Sequence, residues 1–331
     1  MRSKVIIALI KSYTDKPWRS PETYQLIEDS LKEKWPVKST HTKNPEILYR
    51  FFTNLKREWG KNIFVFNIAE YLDEENKAGF LPALLDEWKI PHLGSSAQVI
   101  NIGLDKARTK DLLNKHNIPT PQYFVAQKGD LDVNQRANRI GYPLIVKPIR
   151  EGGHIGIRDD SIVYDESSLI RIVNRIFDIH HQPALIEAYI TGNEMREFSV
   201  GIIDGQARLY TPIEIDFESM NLNQDILSYE SAQKDLERTK LLQDEKMRIE
   251  IIDLSKRTFD AVGAQDYSRV DLRMDHNNCY VIEINIMPGL GPLSFLPEAA
   301  KNIHALEYDQ IILKLAENSI KRQKNGWKTK H

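Results

Sequence analysis

The residues with the clearest chemical promise lie between positions 267 and 289. Tyr267-Ser-Arg-Val-Asp-Leu-Arg-Met-Asp and Cys279-Tyr-Val-Ile-Glu-Ile-Asn-Ile both alternate apolar with polar side chains around the turn residues His276-Asn-Asn, so the segment reads as a β-hairpin. On the first strand Val270, Leu272 and Met274 share a face, leaving Arg269, Asp271 and Arg273 on the other. On the second, Ile282, Ile284 and Ile286 are apolar, leaving Glu283 and Asn285. A turn centred on Asn277 sets Asp271 opposite Glu283 and Arg269 opposite Asn285. Carboxylates so placed, with Cβ atoms about 5 Å apart, repel each other unless something cationic sits between them. Their hard oxygens, with the amide oxygen of Asn285, favour Mg²⁺ over zinc and leave positions for phosphate oxygens and water. The plainer alternative is that Arg269 and Arg273 neutralise a solvated polar face.

A second motif is Tyr142-Pro-Leu-Ile-Val-Lys147-Pro followed by Arg150-Glu-Gly152-Gly153-His154-Ile-Gly156, which puts a lysine on an apolar strand just before a flexible turn. Burying a lysine without an anion is costly. Glycines let backbone N–H groups approach phosphate, and a lysine alongside adds a point charge. By itself the motif fits a nucleotide loop and a plain hairpin turn equally. There is no Gly-x-x-x-x-Gly-Lys-[Ser/Thr] loop, no third glycine after Gly289-Leu-Gly291, no His-Glu-x-x-His helix and no Gly-x-Ser-x-Gly elbow. The scattered histidines, among them His41, His92 and His180, read as surface or packing residues.

These motifs need elements to hold them. The N-terminal part alternates strand-like and helix-like pieces, Val5 to Ile10, Glu22 to Lys34, Asn62 to Ile68 and Phe80 to Trp88, the rhythm of a small open α/β domain. Ile90 to Ser96 reads as a short strand ending in turn residues, and a helix over Lys106 to His116 is stopped by Ile118-Pro-Thr-Pro121. The strand of Lys147, its glycine turn, an amphipathic helix over Ser167 to Asp178 and a strand over Ala184 to Tyr189 form a second unit. Strands over Phe198 to Ile203 and Gln206 to Ile213 precede a polar stretch, Asp216 to Gln243, with no strand signal; it is either a lid or a solvated helical excursion. The expected division is an N-terminal α/β domain over 1–103, a central subdomain over 104–190 and a C-terminal subdomain over 191–331 that carries the hairpin and the lid segment.

Composition narrows the function classes. With 331 residues and 41% hydrophobic content the chain can bury cores in two or three subdomains. Lys and Arg number 45 against 47 Asp and Glu, so no global field draws it to nucleic acid or an anionic membrane. Cys279 is the single cysteine, which excludes an intramolecular disulfide, a CxxC pair and a Cys-rich zinc site; it reads as a half-buried strand residue. The apolar run Val5 to Ile10 is too short for a signal-peptide core, and no segment approaches the roughly 20 apolar residues of a membrane span. The expectation is a cytoplasmic protein, alone or as a homodimer.

Taken together and in order, the motifs resemble the D-alanine:D-alanine ligase branch of the ATP-grasp superfamily along nearly the whole chain. The resemblance is carried by Gly94-Ser-Ser, Leu104-Asp-Lys106 with Lys110, Ile118-Pro-Thr-Pro, Pro143-Leu-Ile-Val-Lys147-Pro, Glu151-Gly-Gly-His-Ile-Gly156, Glu187-Ala-Tyr-Ile-Thr-Gly-Asn-Glu194, Arg269-Val-Asp271 and Glu283-Ile-Asn285-Ile-Met-Pro288-Gly289 followed by Ser294. It implies an α/β (α+β) ATP-grasp fold with an N-terminal open domain and two ATP-binding subdomains. It also implies an ATP- and Mg²⁺-dependent ligase that turns a carboxylate into an acyl phosphate and joins it to an amine, releasing ADP and phosphate. A nucleotide-binding protein without turnover and a phosphotransferase that stops at phosphoryl transfer are the alternatives.

By that resemblance Lys106 and Lys147 grip the α and β phosphates, and the turn from Gly152 through Gly153 and His154 to Gly156 closes over the triphosphate. Glu187, Ala188, Tyr189 and Ile190 match the adenine-binding hinge, and Glu194 matches the acid that holds the ribose. Asp271, Glu283 and Asn285 hold two magnesium ions; Arg269 and the Gly289 N–H stabilise the oxyanion formed by amine attack. Ser20-Pro-Glu22 resembles a Ser-x-Glu whose acid binds the first amino group, and Ser294 matches the serine that binds the second substrate's carboxylate. Glu22 also reads as a first-turn helix acid and Ser294 as a helix N-cap. Several positions depart from the family. Its paired serines in the glycine loop are Gly153 and His154 here, its lid is only echoed by Tyr229-Glu-Ser-Ala-Gln-Lys234, a hinge lysine is Ala188, and Phe66-Asn-Ile-Ala-Glu70 replaces a His-Gly segment. The expectation is a retained nucleotide site with a rebuilt substrate pocket.

Overall fold

The computed structural model describes residues 5–13, 16–42, 44–69, 78–192, 194–220, 226–230, 237–276 and 278–325. Strands β1 (Ile6–Lys11), β2 (Val37–His41) and β3 (Ile63–Phe66) pair in parallel in the order β2-β1-β3. The central strand β1 is apolar on both faces, as a covered parallel sheet requires. Ile7 and Leu9 pack on α1 (Pro21–Lys32), while Ile6, Ala8 and Ile10 pack on α2 (Pro45–Trp59) and α3 (Phe80–Glu87). Helix α1 starts where Pro21 presets the first turn and Ser20 Oγ accepts from Thr23 N at 3.2 Å. Ile90 to Ser96 does not make a strand; it contributes a single bridge, His92 to Val65.

Helices α4 (Ala97–Leu104) and α5 (Lys106–Lys115) lead to an antiparallel sheet of β4 (Tyr123–Ala126), β5 (Leu144–Pro148), β6 (Ile162–Val163) and β7 (Ala184–Ala188), ordered β4-β7-β5-β6. Leu144, Val146, Ala184 and Ile186 face α6 (Val133–Ile140) and α7 (Glu166–His180) in one core. By strand alternation Ile145, Lys147, Leu185 and Glu187 must point the other way.

The third sheet, also antiparallel, joins β8 (Arg196–Ile203), β9 (Leu209–Ile215), β10 (Thr239–Leu241), β11 (Tyr267–Met274) and β12 (Cys279–Asn285) in the order β10-β9-β8-β11-β12. Phe198, Val200, Ile202, Val270, Leu272 and Val281 pack on α9 (Glu245–Val262). The polar stretch Asp216 to Gln243 contains, in its described parts, a short helix α8 (Phe217–Met220) and strand β10, so the expectation of no strand is corrected there. Glu70, Asn193, the expected turn centre Asn277 and the lid residues Ser231 to Lys234 lie outside the described residues, while Tyr229 donates its N–H to the Ile157 carbonyl at 3.0 Å. After the hairpin, α10 (Phe295–His304) and α11 (Tyr308–Asn325) return to the first sheet, where Leu296, Ile311 and Leu315 join Ile7 and Leu9 in a single core. Among the described residues no helix is long and apolar enough to cross a membrane.

Candidate functional site

The second and third sheets turn their polar faces towards each other across a cleft of about 690 Å³, lined among others by Lys106, Lys147, Glu187, Tyr189, Asp271 and Glu283. A neighbouring recess of about 490 Å³ shares Lys106, Glu151, Gly153 and Glu283 and extends to Gly103 and Met287. The cleft walls are apolar at Ile145, Ile226 and Leu227, which suits a flat ring flanked by charged groups.

On the third sheet Arg269 pairs with Asn285 and Asp271 with Glu283, the register the turn implied, but a β-bulge intervenes between Asp271 and Leu272, so that Leu272 pairs with Val281. The bulge corrects one face assignment: Ile282 does not share the core face with Ile284 but lines the cleft beside Glu283. Cys279 is fully inside rather than half-buried. The two carboxylates are compensated by cations from this chain. Arg269 donates twice to Asp271, at 2.9 and 2.8 Å, and Lys106 lies 3.4 Å from Glu283. Asp271 also accepts from Ser199 Oγ at 2.7 Å, and the Asn285 amide donates to Asp271 at 2.8 Å and to Glu283 at 3.3 Å. Neutralisation by Arg269 is therefore present as the plainer alternative had it; Arg273 instead serves Glu197 and Tyr189. Burial raises the pKa of Glu283, but Lys106, Lys147, His154 and Arg269 outweigh it and bring it down to about 2. Two carboxylates, joined by the Asn285 amide once it turns its oxygen rather than its N–H groups towards them, fit a hard cation that takes few protein ligands and completes its shell with phosphate and water.

On the second sheet Lys147 contacts one oxygen of Glu187, and Lys110, from α5, lies 2.7 Å from the other. Burial acts against the charge of Glu187, yet the two ammonium groups hold its pKa below the usual carboxylate range. For Lys110 burial is the dominant influence and lowers its pKa, with Glu187 opposing. Lys106, at the start of α5, donates to the Glu151 carbonyl at 2.5 Å and so ties the helix to the glycine turn.

At the end of β7 the backbone N–H groups of Ala188 and Tyr189 donate to the Gln122 and Pro143 carbonyls at 2.9 and 3.0 Å. With Ile190 these residues line the cleft. The Arg273 guanidinium stands 4.4 Å from the Tyr189 ring centroid and donates to its hydroxyl at 3.0 Å. Glu194 is not among the lining residues; it is exposed and contacts His276. Glu197 does line the cleft, 3.6 Å from Arg273, and burial pushes its carboxyl pKa up. Its alternation with Ser199 on β8, opposite Arg273 and Asp271, is the signal that could have found it.

At the glycine turn Gly153 and His154 both have φ of 60°, and the His154 imidazole sits 3.4 Å from Glu237, just past the undescribed part of the lid segment. Gly289 must be glycine: a Cβ there would come within 2.8 Å of Trp18 and 3.0 Å of Ser294 Oγ. Its N–H has no partner among the described residues. Ser294 stands at the N-cap of α10 but makes no side-chain cap bond, which leaves its hydroxyl available near Gly289. Glu22 is exposed in the first turn of α1, with Ser20 holding its pKa down, and does not line the cleft. Neither Trp18 nor Glu237 was anticipated, because both reach the site through tertiary packing.

Residues 112–317 match the family model described as D-ala D-ala ligase C-terminus. A D-alanine–D-alanine ligase of Pediococcus pentosaceus is 33% identical, covering 73% of this chain and 68% of its own. One from Syntrophotalea carbinolica is 31% identical, covering 74% and 75%. Among solved structures, the D-alanine–D-alanine ligase from Bacillus anthracis complexed with ATP superposes over 97% of this chain and 99% of its own with a TM-score of 0.75, at 22% identity.

Proposed function

The chain belongs to the D-alanine–D-alanine ligase family, ATP-dependent ligases of ATP-grasp fold that form carbon–nitrogen bonds, and we propose that it joins an acyl donor other than D-alanine to the amine of an α-amino acid. The observation that carries the reading is the meeting, across one cleft, of Lys147 and Glu187 from one sheet with Glu283 and Asp271, itself paired with Arg269, on the other. The family does not favour the non-catalytic alternative or the phosphotransferase.

In this reading ATP enters with its base between Ile145, Tyr189 and Leu227 and its phosphates towards Lys147, Lys106 and the Gly152–His154 turn. Glu197 takes the ribose side in place of Glu194. Asp271, Glu283 and Asn285 hold Mg²⁺, which supplies charge neutralisation of the phosphates when bound. The donor's carboxylate oxygen attacks the γ-phosphorus and ADP leaves. The amine then attacks the acyl carbon, the C–N bond forms, and phosphate departs with the C–O bond electrons. Arg269 and the Gly289 N–H face the oxyanion of that second step, and closing the site keeps water from the acyl phosphate. Ser294 binds the carboxylate of the attacking amino acid, and Glu22 the amino group of the donor. Gly153 and His154, where the family has two serines, motivate the different donor: both hydroxyls are lost and an imidazole stands in place of one of them. The cytoplasm is the proposed compartment.

The test is a panel of amino acids and other amines with ATP and Mg²⁺, read for nucleotide products and, by mass spectrometry, for amides. ADP and phosphate released in step with a new amide are expected. AMP, or no amine-dependent ADP, would overturn the reaction. D-alanyl-D-alanine formed faster than every other pair would overturn the substrate assignment alone.

A further inference from the structure

Two lysines share one buried carboxylate. The side chains of Lys110, Glu187 and Lys147 are 1%, 2% and 5% exposed, so the trio carries one net positive charge where uncompensated charge is poorly tolerated. The two ammonium groups are not equivalent. Lys147 and Glu187 line the cleft, and Lys147 has no other polar partner among the described residues. Lys110 lies behind them, donating to Thr120 Oγ1 at 2.7 Å and standing 5.7 Å from the Tyr123 ring centroid. Thr120 in turn donates to the Val281 carbonyl at 2.8 Å, so Lys110 is tied to β12 as well as to β7.

We propose that Lys110 is a positioning residue: it remains the counterion of Glu187, so that Lys147 can leave that carboxylate and ion-pair with the phosphates of a nucleotide in the cleft. This rests on the reading of Lys147 as a phosphate ligand. Without Lys110, moving Lys147 to phosphate strands an ionised carboxylate in a buried place, and Glu187 competes with ATP for its one remaining cation. The second lysine removes that competition.

The measurement is ATP affinity by calorimetry, with KM for ATP, kcat and melting temperature, on the full chain and on K110M, K110R, E187Q, K110M/E187Q and K147A. K110M is expected to weaken ATP binding about tenfold or more, the scale of one charge-assisted contact, with a smaller change in kcat. K110R keeps the charge and stays near wild type. K110M/E187Q is expected to recover most of the loss and to match E187Q, since the neutral amide no longer holds Lys147 yet still offers an oxygen to the nucleotide. The comparison of the double variant with E187Q stands even where K110M alone does not fold. A purely structural Lys110 makes the double variant weaker than E187Q, and that result overturns the proposal. If K147A leaves ATP affinity unchanged, the phosphate reading falls first; if K147A weakens binding while K110M does not, Lys110 alone is misassigned.

Discussion

At the nucleotide end of the cleft the charged side chains sit on strands whose opposite faces are core: Lys147 and Glu187 on β5 and β7, Asp271 and Glu283 on β11 and β12. The loop-borne groups are placed differently: Trp18 comes from a 3₁₀ turn, Gly289 from a loop and Ser294 from a helix start, close to one another, while His154 reaches the cleft from a glycine turn. A strand with one buried face cannot slip by a residue without burying its polar set, so its chemistry is locked to its packing. A loop has no such lock, and its groups are placed by contacts with distant residues. The first kind of site resists drift, and the second can be rebuilt while the fold stands.

If that contrast is right, the largest losses come from the strands. Asp271→Asn and Glu283→Gln should each reduce Mg²⁺-dependent turnover by at least about 100-fold, because even outer-shell partners of metal ligands are worth about 10- to 100-fold. Circular dichroism should show the fold retained, since the amide oxygen that replaces each carboxylate oxygen can still accept from Arg269 or face Lys106. Wild-type turnover in either variant removes the metal assignment. Lys147→Ala should weaken ATP binding by about 10- to 100-fold, the range for hydrogen bonds to a charged group; unchanged affinity in a nucleotide titration removes its phosphate role.

The loop end should respond in kcat rather than in ATP affinity. Gly289→Ala places a methyl within 2.8 Å of Trp18 and 3.0 Å of Ser294 Oγ, so the loop must shift. Overpacking of this kind costs about 1–3 kcal/mol, and a displaced N–H at Gly289 should lower kcat about tenfold with ATP affinity intact. A variant with normal kcat shows that the loop does not face the reacting atoms.

The same contrast explains what could be read from the sequence. Period-2 alternation identified β11 and β12 and the pairing of Asp271 with Glu283, because the core residues between them fix the faces. The bulge that exposes Ile282 was not legible, since a sequence of alternating isoleucines is the same with or without it. Val37–His41 is a polar edge strand with little apolar signal, and Thr239–Leu241 is another. Both gain strand geometry from the neighbour they pair with. Glu194 was matched to a family position, whereas β8 alternation brings Glu197 to the cleft and Ser199 to Asp271. Trp18 and Glu237 had no local signal at all.

The smallest expected effect is also the one that tests whether the glycine turn has been rebuilt around a charge. Burial depresses the pKa of His154, but contact with Glu237 and the field of Glu283 outweigh it, so the pKa is raised above 6.5, and that of Glu237 is held down. A histidine whose folded pKa is raised stabilises the folded state fully below its unfolded value and loses that contribution as pH climbs through the folded one. The pair is about one-fifth exposed and 3.4 Å apart, so about 1 kcal/mol or less is at stake. His154→Asn is the suitable variant, because asparagine accepts the φ of 60° that most side chains resist. The melting temperature of the wild type should exceed that of H154N most clearly near pH 6, and the difference should shrink as pH rises above 6.5. E237Q should lower the His154 pKa and move that decline to lower pH. A difference that stays constant with pH would mean that His154 is neutral against Glu237, and that the imidazole fills space at the turn without carrying charge into it.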